Sequence, residues 1–131
     1  VCTVTSSKEA ILFGEWVTNG THVNAVGASI PIFQEIDESM VLKSKLFVDY
    51  RPSALAQAKE IIDGVNSKAF DRSHILGEIG EVLSGKVKGR LLPSDITLYR
   101  SMGIAAQDLA CADFVFQKAE KEGYGIFSDI S

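Results

Sequence analysis

The chain has 131 residues, 46% of them hydrophobic and 23% charged, the composition of one ordinary globular domain with enough apolar residues to bury a core. Its formal net charge of −4 and the lack of a long basic run exclude the electrostatic footprint of a nucleic-acid-binding or anionic-membrane surface, and its apolar runs are far too short to span a bilayer. Two widely spaced histidines, His22 and His74, and no Cys/His cluster leave no metal site spelled in the sequence.

Residues 1–5, Val-Cys-Thr-Val-Thr, are rich in β-branched side chains and predict a first strand. The chain opens within this strand pattern with neither a Met nor a leader, which reads as a cut made inside a domain. Without a signal-peptide pattern, a reducing compartment and free thiols are expected. Cys2 in the strand and Cys111 on a small-residue helix face then read as buried packing residues. Thr5, Ser6 and Ser7 form a hydroxyl cluster at the carboxyl end of the strand, either a cap or loop or one wall of a ligand cleft. Ile11-Leu12-Phe13 is a short apolar run, and Trp16-Val17 leads into the turn Thr18-Asn19-Gly20.

Residues 22–29 read His-Val-Asn-Ala-Val-Gly-Ala-Ser. Val23 to Val26 predict a short buried strand, with Gly27 and Ala28 following at its carboxyl end. Small residues there leave room for a ligand at the edge where open α/β sheets bind one; the alternative is a tight strand-to-loop turn. Residues 35–43 carry Ile36, Met40 and Val41 on one side and predict a surface helix. In residues 45–49 the triplet Leu46-Phe47-Val48 predicts a strand covered on both faces and ending at the polar Asp49. Pro52 opens a helix with Leu55, Ile61 and Ile62 inward and Gly64 as its C-cap, followed by a polar connection over 66–72.

A further helix is expected from Ser73 or His74, with Ile75, Leu76, Ile79, Val82 and Leu83 as its buried stripe and Gly85 as its stop. His74 reads as a surface or capping residue. Lys86, Lys88 and Arg90 make a locally basic loop, either solvated or near an anionic cofactor phosphate. Pro93-Ser94-Asp95 turns into a last strand over 96–99. Ser101-Met102-Gly103 then links to the longest helix, 104–122, with Leu109, Ala112, Phe116 and Ala119 at helical spacing. Ala105, Ala106, Ala110, Cys111 and Ala112 make its first half small-sided, suited to close packing on another backbone, and its first N–H groups suit a polar or anionic group. Gly123 and Gly125 end it, and 125–131 form a tail. Four main strands alternating with four helices make an α/β fold, a parallel sheet with right-handed crossovers.

Ile11-Leu-Phe-Gly-Glu-Trp-Val17 followed by Gly20-Thr-His-Val-Asn-Ala-Val-Gly-Ala-Ser29 closely resembles the ornithine cyclodeaminase/mu-crystallin family of NAD(P)-dependent enzymes. Gly77-Glu-Ile-Gly-Glu-Val-Leu-Ser-Gly85 and Ile96-Thr-Leu-Tyr-Arg-Ser-Met-Gly-Ile-Ala-Ala-Gln-Asp108 match it too. The resemblance implies a subunit with a dimerisation domain, which carries part of the substrate site, and a Rossmann-like domain for the dinucleotide. Residues 1–100 are then the carboxyl half of the Rossmann-like domain. Residues 101–131 are the Ser-x-Gly turn, the long helix and a tail returning toward the dimerisation domain. No G-x-G-x-x-G occurs in the sequence, so the pyrophosphate turn, the ribose-recognition segment and the substrate-handling lysine and arginine are expected before Val1.

Position by position, the resemblance places Val4, Thr5, Ser6 and Ser7 in the Val-Thr-x-x segment that lines the nicotinamide side of the cofactor. Val26 and Ser29 fall where the Val-Gly-Ala/Gly-x loop meets nicotinamide and substrate, and Ser101, Met102 and Gly103 match the Ser-x-Gly that passes under the ring. Ornithine cyclodeaminases as a class carry an aspartate where Ser29 stands, whereas mu-crystallin-type ketimine reductases carry serine. A serine hydroxyl does not titrate near neutral pH and cannot replace a carboxylate as a base. The resemblance therefore implies reduction of a cyclic ketimine or imino acid with NADPH or NADH, Ser29 being the catalytic residue of this chain. Alternatives are an ornithine cyclodeaminase or amino-acid dehydrogenase, a non-catalytic thyroid-hormone-binding crystallin-like protein, and an inactive fragment. The expected setting is a cytoplasmic homodimer acting on a small imino or amino acid, with no nucleic-acid or membrane partner. In the chain taken alone, residues 1–5 are expected to pair with themselves or with a partner chain as an unpaired edge.

Overall fold

In a computed structural model that describes residues 1–126 and Ser128, five short strands form one sheet: β1 (Cys2–Thr3), β2 (His22–Ala25), β3 (Lys45–Val48), β4 (Ile75–Glu78) and β5 (Thr97–Arg100). Their order is β1-β2-β5-β3-β4 and every pairing is parallel. The last strand therefore lies in the middle, between β2 and β3. Helix α1 (Glu38–Lys43) joins β2 to β3, α2 (Arg51–Gln57) and α3 (Lys59–Ser67) join β3 to β4, α4 (Ile79–Leu83) precedes β5, and α5 (Ala105–Glu122) follows it. The expected α/β parallel fold is borne out.

Alternation along the strands sorts the side chains to two faces. Val23, Ala25, Leu46, Val48 and Leu98 point to one face and are fully buried with Ile36, Met40, Val41, Ala54, Ala58 and Ile61. His22, Thr97, Phe47 and Tyr99 point to the other, where α4 and Arg90 leave a cleft of about 230 Å³. Caps follow the chemistry of their residues. The Asp37 carboxylate accepts the Met40 N–H at 2.9 Å and so starts α1, and Pro52 sits in the first turn of α2. At the end of α5, Gly123 adopts the left-handed backbone (φ +71°) that closes the helix on the Ala119 and Glu120 carbonyls.

Several expectations need correction. The helix expected from residue 73 or 74 is a strand, β4, followed by the five-residue α4. Ile75, Ile79 and Val82 are spaced as a helical stripe would be, but Ile75 and Gly77 alternate inward. A Cβ on Gly77 would stand 3.0 Å from a Val87 methyl. The helix expected from Pro52 to Gly64 is two helices, broken at the extended backbone of Ala58 (φ −76°, ψ 105°), and it runs past Gly64 to Ser67. Gly64 is internal because the Phe70 ring occupies the place of a Cβ. The helix expected over 35–43 begins at Glu38, which leaves Glu35 and Ile36 buried ahead of it.

Cys2 and Cys111 are exposed, not buried. Helix α5 buries no residue: Leu109, Phe114 and Phe116 are 72%, 67% and 58% exposed, because the helix leaves the sheet after Gly103. His74 ends a 3-10 turn, and its Nε2 lies 2.8 Å from the Val41 carbonyl, which ties β4 to α1. Of the tail expected over 125–131, Phe127, Asp129, Ile130 and Ser131 lie outside the described residues.

Leu98 on the central strand lies in register between Val23 and Leu46 and is 0% exposed. Leu98→Ala is expected to lower the unfolding free energy by about 2–5 kcal/mol, read from urea denaturation of the two proteins.

Candidate functional site

Because β1, β2 and β5 are adjacent and parallel, their carboxyl ends share one edge. The segments carrying Val4, Thr5, Ser6 and Ser7, then Val26 and Ser29, then Ser101, Met102 and Gly103 follow those three ends. The sheet therefore brings together the three segments singled out in the sequence. Three buried charged side chains lock them there.

The first is Glu35, 1% exposed. Its Oε2 accepts the Thr3 hydroxyl and the Gly27 N–H, each at 2.8 Å, and its Oε1 accepts the Thr5 N–H. Val26 donates its N–H to the Thr3 carbonyl at 3.0 Å. The β1 and β2 loops pass so close that a Cβ on Gly27 would overlap the Thr5 backbone and the Glu35 carboxylate. The glycine is a packing requirement, since the colliding backbone cannot swing away. Burial pushes the Glu35 carboxyl up, but hydrogen bonds from Thr5, Thr3 and Gly27 outweigh it and hold the pKa below the ordinary value.

The second is Arg100, also 1% exposed. Its Nη1 donates to the carbonyls of Ala25 at 3.2 Å and Ser101 at 2.9 Å, and its Nη2 donates to the carbonyl of Ala28. Its Nε donates to Glu60 Oε1 at 2.6 Å, a fully buried ion pair with α3. The third is Asp49 at the end of β3, 4% exposed. Its Oδ2 accepts the Ser101 hydroxyl at 3.1 Å and the N–H groups of Met102 and Gly103 at 2.7 Å each.

These ties decide what each candidate residue presents. Ser101 and Met102 are buried and turned to Asp49, so they build the wall from within. Gly103 is exposed, with a left-handed backbone (φ +84°) and nothing within 4 Å of where a Cβ would stand. Val4 and Val26 are 69% and 38% exposed. Thr5 and Ser6 are exposed. Ser7 is half-buried and bonded locally, its N–H to the Thr5 hydroxyl at 3.2 Å and its own hydroxyl to the Glu9 carbonyl at 2.6 Å. Ser29 is half-buried. An edge of small residues and hydroxyls beside an open glycine can receive a flat polar ring; it offers neither a metal cluster among the described residues nor an uncommitted carboxylate.

Glu35, Asp49, Glu60 and Arg100 escaped the sequence reading as site residues. A signal was present for two of them: Asp49 and Arg100 directly follow apolar strand cores, and a charge so placed is buried only if paired.

A sequence model described as the ornithine cyclodeaminase/mu-crystallin family matches residues 1–123. The chain belongs to the ornithine cyclodeaminase/mu-crystallin family. Ketimine reductase mu-crystallin of Mus musculus is 37% identical over 116 residues, which are 88% of this chain and 34% of that protein. Among solved structures, Thermococcus litoralis Δ1-pyrroline-2-carboxylate reductase in complex with NADH and L-proline is 34% identical with a TM-score of 0.87, covering 97% of this chain and 39% of that one. An archaeal alanine dehydrogenase dimer with bound NAD is 33% identical with a TM-score of 0.82, covering 99% and 40%. The chain thus spans about a third of the length of its mu-crystallin relative. The family membership read from residues 11–17, 20–29, 77–85 and 96–108 is borne out. The matched structures carry the same α/β arrangement in proteins with bound NADH or NAD.

The lowered pKa of Glu35 has a definite sign. Its clamp contributes fully above the ordinary glutamate value and is lost as pH falls through the lower native one. The Thr5 and Gly27 amide resonances are expected to titrate together with a midpoint below the ordinary glutamate value, and Glu35→Gln should abolish that titration. A midpoint at or above the ordinary value would contradict the clamp.

Proposed function

We propose that the protein is an NAD(P)H-dependent reductase of cyclic ketimines or imino acids, with this chain forming the nicotinamide-side wall of the pocket. The observation that carries the reading is the shared carboxyl edge of β1, β2 and β5, with Gly27 packed on Thr5 and Gly103 open beside them. Two of the family relatives support it: one is a complex with NADH and L-proline, the other has bound NAD. The edge fits the nicotinamide end of such a cofactor, because Thr5, Val26 and Gly103 present small or hydroxyl groups around an open surface. It does not fit the phosphates, for which the chain has no glycine-rich turn.

The bound dinucleotide supplies the hydride. This chain supplies orientation. Thr5 and Ser29 offer hydroxyls to the ring and to the carboxylate region of the substrate, and Asp49 and Arg100 hold the Ser101-Met102-Gly103 turn rigid beneath them. Glu35 is committed to three donors and held ionised, so it is no proton source. We assign the proton donor to a residue outside this wall. Ser29 in place of a carboxylate favours C=N reduction over cyclodeamination, which needs a base.

We further assign residues 1–100 to the carboxyl half of the Rossmann-like domain, with 101–131 returning toward a dimerisation domain. The protein is then a cytoplasmic homodimer, as one relative is a dimer. No helix among the described residues is long and apolar enough to cross a membrane. Reversible reduction of an acyclic imine is the second reading, favoured by the 33% identity to the alanine dehydrogenase.

Ser29→Ala in the intact subunit is expected to lower turnover of a cyclic ketimine about 10- to 100-fold, the loss of one hydrogen bond to a charged group. Ornithine, pyruvate with ammonia, and the ketimine assayed side by side separate the readings; an unchanged ketimine rate would remove Ser29 from the site. β1 is the outermost strand of the sheet, so the 131-residue chain expressed alone is expected to self-associate through it. Light scattering showing a monomer would contradict this.

A further inference from the structure

The buried Arg100–Glu60 pair does more than fill the core beneath the sheet edge. Arg100 spends three donors on the carbonyls of Ala25, Ala28 and Ser101, which belong to two of the three segments of the wall. Every peptide in the described chain is trans, and in a trans peptide the C=O and N–H point in opposite directions. The Ser101–Met102 peptide shows the consequence. Its carbonyl faces Arg100 at 2.9 Å, and its N–H faces away, to Asp49, at 2.7 Å.

The Ala28–Ser29 peptide is held by the same guanidinium. Its carbonyl faces Arg100, so the Ser29 N–H faces away from the buried side, at a half-buried residue on the carboxyl edge of the sheet. No acceptor among the described residues meets it. Backbone donors with restricted access to water are almost always paired. An oriented, unpartnered N–H at this place is a site for an acceptor oxygen.

We infer that Arg100, held in place by Glu60, is a positioning residue that aims the Ser29 N–H outward at the carboxyl edge of the sheet as a donor to a carbonyl or carboxylate oxygen of the bound reactants. The inference deepens the proposed reductase reading and rests on it for the identity of those reactants. Two sources share the chemistry: the carboxamide of the nicotinamide and the carboxylate of the imino acid. Glu60 does not reach that edge. Its Oε1 takes the Arg100 Nε at 2.6 Å, and its Oε2 has no partner among the described residues. Its part is to fix the guanidinium plane so that the two Nη groups face the carbonyls.

The test is a double variant of the intact subunit, Arg100→Met with Glu60→Leu, which removes both charges together so that neither is left buried alone. Amide exchange is expected to rise at 26–29 and 101–103, while β3 keeps its protection. With exchange so altered, kcat for the imine should fall about 10- to 100-fold, as for a reacting group displaced by about 1 Å. A rise in the NADH dissociation constant alone assigns the N–H to the carboxamide, and a rise in the imino-acid KM alone assigns it to the carboxylate.

Should the double variant fail to fold, Arg100→Lys keeps the charge for Glu60 but cannot span three carbonyls, and the same exchange pattern is expected. Unchanged exchange at 26–29, an equal rise across β3, or altered exchange with kcat and both affinities unchanged overturns the inference. If the unmodified subunit transfers hydride to no imine, the reductase reading fails; the exchange pattern and the NADH titration still judge the positioning role.

Discussion

Buried charge at the ends of parallel strands is the constraint on which this structure depends. A parallel ladder satisfies its backbone only while the strands run together; where they part, carbonyl and N–H groups are left over. Here the strands part around small residues that give those groups little access to water. Arg100 takes three of the carbonyls and Asp49 takes two N–H groups from the turn after β5, while Glu35 takes one N–H from each of the loops after β1 and β2. Removing one member of a buried charged network costs about 3–5 kcal/mol because the survivor is left unpaired. A rigid edge therefore comes with a large stake in the fold.

The constraint also divides the molecule. One face of the sheet is a closed apolar core, from Val23 through Leu98 to Leu46, and it anchors the clamps from below. The other face, with His22 and Tyr99, is covered only in part, and α5 stands off the sheet with Leu109 and Phe116 exposed. Exposed apolar surface on that scale is the mark of surfaces that meet another body.

How much of this was legible in the sequence depended on the range of the interaction. Leu46-Phe47-Val48 announced its strand, because continuous apolar residues carry the signal of a strand covered on both faces, and Ile96-Thr97-Leu98-Tyr99 announced another by its β-favouring residues after a Pro-Ser-Asp turn. Small residues at Gly27 and Gly103 announced the edge. Residues 75–83 misled because Ile75, Ile79 and Val82 satisfy helical spacing; what makes the first four a strand is pairing with β3 and the approach of Val87, neither of them local. Glu35 read as part of a surface helix for the same reason. Its acceptors meet donors eight and thirty or more residues away. Family resemblance located the wall, but the charges that hold it are pairings across the fold, which spacing along one chain does not encode.

That division of labour bears on the chemistry. Hydride reduction of an imine needs an acceptor held at the right distance and angle, and it needs a proton. In the proposed reductase this wall serves the first need, since Glu35, Asp49 and Arg100 spend their hydrogen bonds on fixing the backbone. For the same reason Glu35 does not serve the second: a carboxylate committed to three donors that hold its pKa below the ordinary value has no proton to give near neutral pH. A serine at position 29 agrees with this arrangement, for it adds a hydroxyl to the edge without adding a negative charge. In that reading the sheet edge is a template, and the proton comes from outside this wall.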